Sequence, residues 1–176
     1  MYSPLSMDDI NSLNSCILKN YMQFCIMYKL NFEKFDFSIK NKENKTYILD
    51  PIRKKWLILT PEEWVRQHCI IFLSKIKNIP LAFIQVEKKL NLNGSNKRYD
   101  LVVFKPDHTI FLLVECKAPT KKISQNTFDQ IARYNTVLKS DYLMLTNGLN
   151  HFFCKMDFEK QKYYFLTDLP VYNSNK

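Results

Sequence analysis

Glycine is almost missing from this chain: Gly94 and Gly148 are the two among 176 residues. A phosphate loop of the GxxxxGK[ST] form needs two glycines five apart, and a dinucleotide fingerprint needs three. Neither fits, so the sequence does not read as a P-loop ATPase, a motor or a standard Rossmann enzyme. Cysteines number five (Cys16, Cys25, Cys69, Cys116 and Cys154), an odd count with no CxxC pair. That fits buried thiols in a reducing cytoplasm better than a disulfide scaffold or a zinc site. No apolar run reaches about 18 residues, so no membrane span is expected. The N-terminus shows neither a basic region nor an apolar stretch with a small-residue cleavage site, so no secretory signal is expected. Internal repeats and low-complexity linkers are also missing.

What is present is a chain 46% hydrophobic with a formal net charge of +9. The length suits one domain with a real core. The positive balance suits a polyanion such as nucleic acid. A bias toward Lys and Asn codons would give the same charge. Residues 1–26 differ in character from the rest and read as a peripheral helix, a loosely ordered extension or sequence preceding a start at Met27. A single domain is expected over 27–176.

The clearest helix is "LTPEEWVRQHCIIFLSKIK". Thr60 is a good N-cap, Pro61 takes the first helical position, and Glu63 lies three after the cap, completing a capping box. Val65, Cys69, Phe72 and Ile76 form an inward stripe, and Pro80 stops the helix. "LAFIQVEKKL" alternates like a strand, and "NLNGSNK" is a loop around Gly94. "RYDLVVF" is a strand, "KPDHT" a turn, and "IFLLVECK" a strand apolar enough to be buried on both faces. "SQNTFDQIARYNTVLK" is a second helix with Phe128, Ile131 and Leu138 on one side. "DYLMLTNG" is a short strand with a turn at its end, and "HFFCKMDF" with "KYYFLTDL" forms a final hairpin. The order is α-β-β-β-α-β with extra strands, an α/β fold with a central mixed sheet.

A turn centred between Asp107 and His108 puts Asp100 directly opposite Glu115, since the two are equidistant from that point. Cross-strand partners have Cβ atoms about 5 Å apart on one face. Lys117, two residues on, shares that face. Adjacent carboxylates on a buried sheet repel, which raises one pKa. A divalent cation resolves the repulsion, and hard oxygen ligands suit Mg²⁺, with Mn²⁺ as a substitute. The same spacing allows a plain salt bridge between Lys117 and either acid.

At these residues the sequence resembles the PD-(D/E)xK nuclease superfamily, through Asp100 and the Glu115-Cys116-Lys117 triplet. Tyr99 stands where the superfamily's eponymous proline is found. "LTPEEWVRQ", "KRYDLVVF", "LLVECKAP" and "FDQIARYN" together resemble the N-terminal nuclease domain of type I restriction enzyme motor subunits, over roughly residues 45–170. The resemblance implies a restriction-endonuclease-like core with Asp100, Glu115 and the Cys116 backbone carbonyl around a metal, and Lys117 as catalytic. It also implies that Glu62 of a Glu62–Arg66 pair leans toward the site, leaving Glu63 for capping. The bland alternative for Glu62 is a helix-surface pair with Arg66, worth about 0.2–0.5 kcal/mol. Gln130 and Tyr134, four apart on one helical face, resemble a Q-x-x-x-Y motif. Thr127 would instead tie up Gln130 in a capping box, unless Ser124 caps the helix one turn earlier.

The expected activity is Mg²⁺-dependent hydrolysis of DNA phosphodiester bonds by Asp100, Glu115 and Lys117, with Gln130, Tyr134 and Glu62 in support. Lys121, Lys122 and Arg66 are candidates for phosphate contact. Restriction or host defence is the setting the resemblance implies, with a separate motor or restriction subunit and a second copy of the chain as candidate partners. One rival is a nuclease-fold module that binds nucleic acid or a partner protein without cutting. Another is an assembly domain in which the three groups form only a salt-bridge cluster. His68, His108 and His151 show no ligand spacing and read as structural or surface residues. Trp56 and Trp64 read as core or staple residues.

Overall fold

A computed structural model describes residues 29–92 and 95–173. The expected extension over 1–26 and the turn at Gly94 lie outside the described residues.

The central strands follow from apolar residues at every position rather than at alternate ones. β5 (Ser95–Phe104) and β6 (Ile110–Cys116) sit in the middle of a six-stranded sheet with β4 (Ile84–Leu92), β7 (Tyr142–Thr146), β8 (His151–Asp157) and β9 (Lys162–Leu166). The strands lie in chain order, β4 to β9. Their side chains alternate between two cores. Leu101, Val103, Leu112, Val114 and Met144 pack with Val65, Cys69 and Ile70 of helix α1 (Pro61–Ile71) and with Leu73 just beyond it. Val102, Leu113, Leu143 and Leu145 pack with Phe128 and Ile131 of helix α2 (Gln125–Leu138). Both faces are covered, as the continuous apolar run in β6 predicts. β6 and β7 are parallel, with α2 as the connection, and every other pairing in this sheet is antiparallel.

Three differences from the sequence reading bear on the site. Residues 39–58 fold into a second sheet of β1 (Ile39–Lys42), β2 (Lys45–Asp50) and β3 (Lys55–Ile58). Its first turn is made by Glu43 and Asn44, both with positive φ. The loop expected over "NLNGSNK" is mostly strand, with Asn91 opposite Asn96 and Leu92 opposite Ser95. The first helix ends in a π-helical turn over Phe72–Ile76, and Asn78, with φ 54°, breaks the chain direction before Pro80 is reached. That wider turn, closed by the Lys77 N–H on the Phe72 carbonyl, moves Leu73 into the core in place of Ile76.

Helix α1 is enclosed on two sides. Trp64 packs with Ile48 and Leu59 of the small-sheet core, while Val65 and Cys69 face the large sheet. His68 lies among Phe32, Phe35, Phe37 and Trp64, and burial lowers its pKa to about 4. Trp56, by contrast, is exposed on β3 beneath the Lys40 ammonium. No described helix is long and apolar enough to cross a membrane.

Candidate active site

The hairpin that carries the acids keeps the expected register by an unexpected route. Leu101 pairs with Val114, Val102 with Leu113 and Val103 with Leu112, so one further step would set Asp100 against Glu115. A bulge at Val103/Phe104 and His108 with φ 65° let the turn close without glycine. The ladder stops at Leu101, and Asp100 turns its carboxylate to other donors. Its Oδ2 accepts the Cys116 N–H at 2.7 Å, and its Oδ1 accepts Arg66 Nη2 at 2.7 Å. The Cys116 group in contact with Asp100 is thus the amide.

Glu115 is partly buried and bonded to Lys117, with Nζ 2.5 Å from Oε1. Burial raises the Glu115 pKa, and the Asp100 charge raises it further, with Lys117 in partial opposition. For Lys117, burial opposes the charge, but Glu115, Asp100 and Glu62 outweigh it and raise its pKa. Glu62 itself is half exposed, 3.4 Å from Arg66. The structure therefore brings Asp100, Glu115, Lys117, Glu62 and Arg66 together.

Arg66 differs from its expected role on the DNA surface. It is 6% exposed and directs its guanidinium at Asp100, Glu63, Glu62 and Glu87. Burial works against its charge, and the Asp100 and Glu63 carboxylates more than restore it. A guanidinium so committed is not free to meet a phosphate. Glu63 also departs from expectation. Its N–H completes the cap by donating to Thr60 Oγ1 at 3.1 Å. Its carboxylate, however, is buried against Arg53, Arg66 and Gln67 instead of returning to the cap.

Behind Asp100 runs a chain of polar contacts that the sequence reading missed. Asp50, fully buried at the end of β2, accepts Arg53 Nε at 2.8 Å and Gln67 Nε2 at 2.9 Å. Arg53 reaches Glu63 and Glu87, both at 3.0 Å. Glu87 has φ 50° and lies between the pairs Val86–Leu101 and Lys88–Tyr99, across from Asp100. Hairpin arithmetic about residues 93–94 would have found it. For Asp50 no sequence signal stands out. Around the site, the six carboxylates of Asp50, Glu62, Glu63, Glu87, Asp100 and Glu115 meet three cations, Arg53, Arg66 and Lys117.

A family model described as type I restriction enzyme R protein N terminus matches residues 61–170, more than half of the chain. The chain belongs to this family. The match begins at α1, so the small sheet over 39–58 precedes it. No curated protein matches the chain.

The family's matched segment also holds the remaining candidates, which the structure does not join to the acids by any hydrogen bond among the described residues. Gln130 is exposed on α2. Ser124 takes the N-cap position of that helix, so Gln130 is not needed there. Tyr134 belongs to α2, and its side chain lies outside the described residues. Lys121 and Lys122 are exposed on the connection after Lys117, held by Asn147 Nδ2 on the Lys121 carbonyl at 2.9 Å.

Proposed function

We propose that this member of the restriction R-protein family is a metal-dependent deoxyribonuclease of the PD-(D/E)xK type, acting in restriction or defence. The observation that carries the reading is the excess of carboxylates over cations around Asp100 and Glu115, with Glu115 pushed up by burial and by its neighbour. An added cation offsets that excess. Among the described residues no three His, Cys, Asp or Glu side chains gather as a ready cage. Mg²⁺ commonly takes one or two carboxylates and completes its shell with water and substrate phosphate, and Asp100 and Glu115 offer two. Asp100 and Glu115 would hold the ion, with the Cys116 carbonyl as a further oxygen. Each carboxylate oxygen bonded to Arg66 or to the Cys116 amide keeps a second lone pair. When bound, the ion supplies a Lewis acid for the phosphate and lowers the pKa of a bound water.

The chain's own residues do the rest. Arg66 and the Cys116 amide fix the orientation of Asp100. Lys117, charged and tethered to Glu115, stands as a compact donor for a phosphoryl oxygen or for the attacking water. Gln130 and Tyr134 position the strand from α2, and Lys121 and Lys122 meet backbone phosphates. DNA is the proposed partner, with a separate motor or restriction subunit as the second.

One observation favours a second reading, a DNA-holding module without cleavage: Asp100 is already paired with Arg66, and Glu115 with Lys117. Nicking of supercoiled plasmid in Mg²⁺ separates the two. The nuclease reading expects nicking by the wild type, abolished by chelator and by Lys117→Ala. DNA retention on a gel without nicking, unchanged by chelator, would establish the second.

A further inference from the structure

The opposite end of the sheet carries a different kind of cleft. β7 runs from Tyr142 to Thr146, and Lys117 joins it at the Thr146 end. Tyr142 pairs with Lys155, and Asp157 with Lys162, at the other end. At about 3.3 Å per residue, the two ends are about 20 Å apart. There the second half of α2 and the β8–β9 hairpin enclose a cleft of about 570 Å³, a size usual for small-molecule sites.

Its floor is apolar, formed by Ala132, Met156 and Phe158, and its rim holds Arg133, Lys139 and Lys162. These three cations are exposed and form no salt bridge among the described residues. The two acids of the lining are engaged elsewhere. Asp129 accepts the Tyr163 hydroxyl at 3.0 Å and Gln125 Nε2 at 2.9 Å. Asp157 accepts the Lys160 N–H at 3.0 Å and faces the Lys160 ammonium. Lys139 and Gln161 hold left-handed backbone, with φ 52° and 51°, at the two places where the chain bends around the cleft. Lys139 in part complements the α2 C-terminus. Arg133 and Lys162 have no such duty: near the end of α2 the Arg133 carbonyl accepts Thr136 Oγ1 and the Asn135 carbonyl accepts the Lys139 N–H.

We infer that this cleft binds a nucleoside phosphate, its ring on the Ala132–Met156–Phe158 floor beside Tyr163 and its phosphate between Arg133 and Lys162. Arginine offers a bidentate fork to phosphate and lysine a point charge, while the apolar floor offers a face to the ring. The site is separate from the acids around Asp100 and needs no metal-bound chemistry there.

Isothermal titration of AMP into the wild type, into Arg133→Ala/Lys162→Ala and into Lys45→Ala/Lys55→Ala on the small sheet tests this. Both pairs remove two exposed charges, so net charge is matched, and thermal unfolding checks that each variant folds. The expected result is saturable binding that weakens about tenfold or more in the cleft pair and stays unchanged in the small-sheet pair. No binding by wild type up to about 1 mM AMP, or equal weakening in both pairs, would overturn the site. Tripolyphosphate binding as tightly as AMP would overturn the ring contact. A 5′-phosphorylated single strand that displaces AMP at lower concentration assigns the phosphate to a nucleic-acid end. Failure to displace assigns it to a free nucleotide. Both keep the site, and neither depends on nicking activity.

Discussion

The two ends of the six-stranded sheet solve the problem of charge in opposite ways. At the Thr146 end, charges are buried and interlocked, from Asp50 through Arg53, Glu63 and Arg66 to Asp100. At the Lys162 end, three cations stand on an exposed rim with no ion pair among the described residues. Buried ionic groups are costly to strand, because each lost partner leaves a desolvated charge. Exposed ones cost little to lose in stability and are available to a ligand. The acidic end is therefore where mutation should disturb the fold, and the basic end where it should disturb binding.

The sharpest break of this comparison is Arg66→Ala, which leaves Asp100 without its cation and Glu63 with Arg53 alone. Denaturant unfolding should show a loss of about 3–5 kcal/mol. Arg133→Ala at the other end should change stability by less than about 0.5 kcal/mol. Equal effects would mean the buried network carries no special weight.

A smaller effect of opposite sign is expected at Glu115. Its pKa is raised by burial and by Asp100, so the folded protein holds that proton more tightly than the unfolded chain. This stabilising contribution is complete below the ordinary carboxylate pKa and is lost as pH rises through the raised value. Glu115→Gln avoids the loss. Thermal unfolding should show the variant more stable than wild type at about pH 8, with the gap closing toward about pH 4. A gap that does not depend on pH would show that ionised Glu115 is fully compensated by Lys117.

Smaller again is the strain at the basic end. Left-handed backbone costs a non-glycine residue about 1–2 kcal/mol, and glycine returns about 0.5–1 of that as lost chain entropy. Gln161→Gly should therefore stabilise by about 0.5–1 kcal/mol in denaturant unfolding. A loss of stability would show that the Gln161 side chain itself holds the hairpin.

Much of this geometry was open to sequence reasoning because strand alternation is strict. The β5–β6 register followed from counting, and the bulge at Phe104 preserved it. The same counting about residues 93–94 places Glu87 across from Asp100. Other features were hidden because the chain has so little glycine. Among the described residues, seven non-glycine residues with positive φ bend the chain outside its strands, and an eighth, Glu87, lies within β4, so the Glu43–Asn44 bend gave no punctuation from which to read the small sheet. Arg66 and Glu63 were misplaced for a different reason. A single helical stripe does not reveal that α1 is covered from two sides, and that cover turns surface charges into a buried network. Trp64 and His68, a second apolar stripe beside Val65 and Cys69, were the available hint.

The central claim is that the acidic end holds a cation between Asp100 and Glu115. Isothermal titration of Mn²⁺ into wild type and Glu115→Ala tests it directly. The account predicts saturable binding by the wild type that the variant loses while remaining folded. No binding by the wild type, or binding that the variant retains, would contradict it and leave Asp100, Glu115 and Lys117 as members of a salt-bridge cluster.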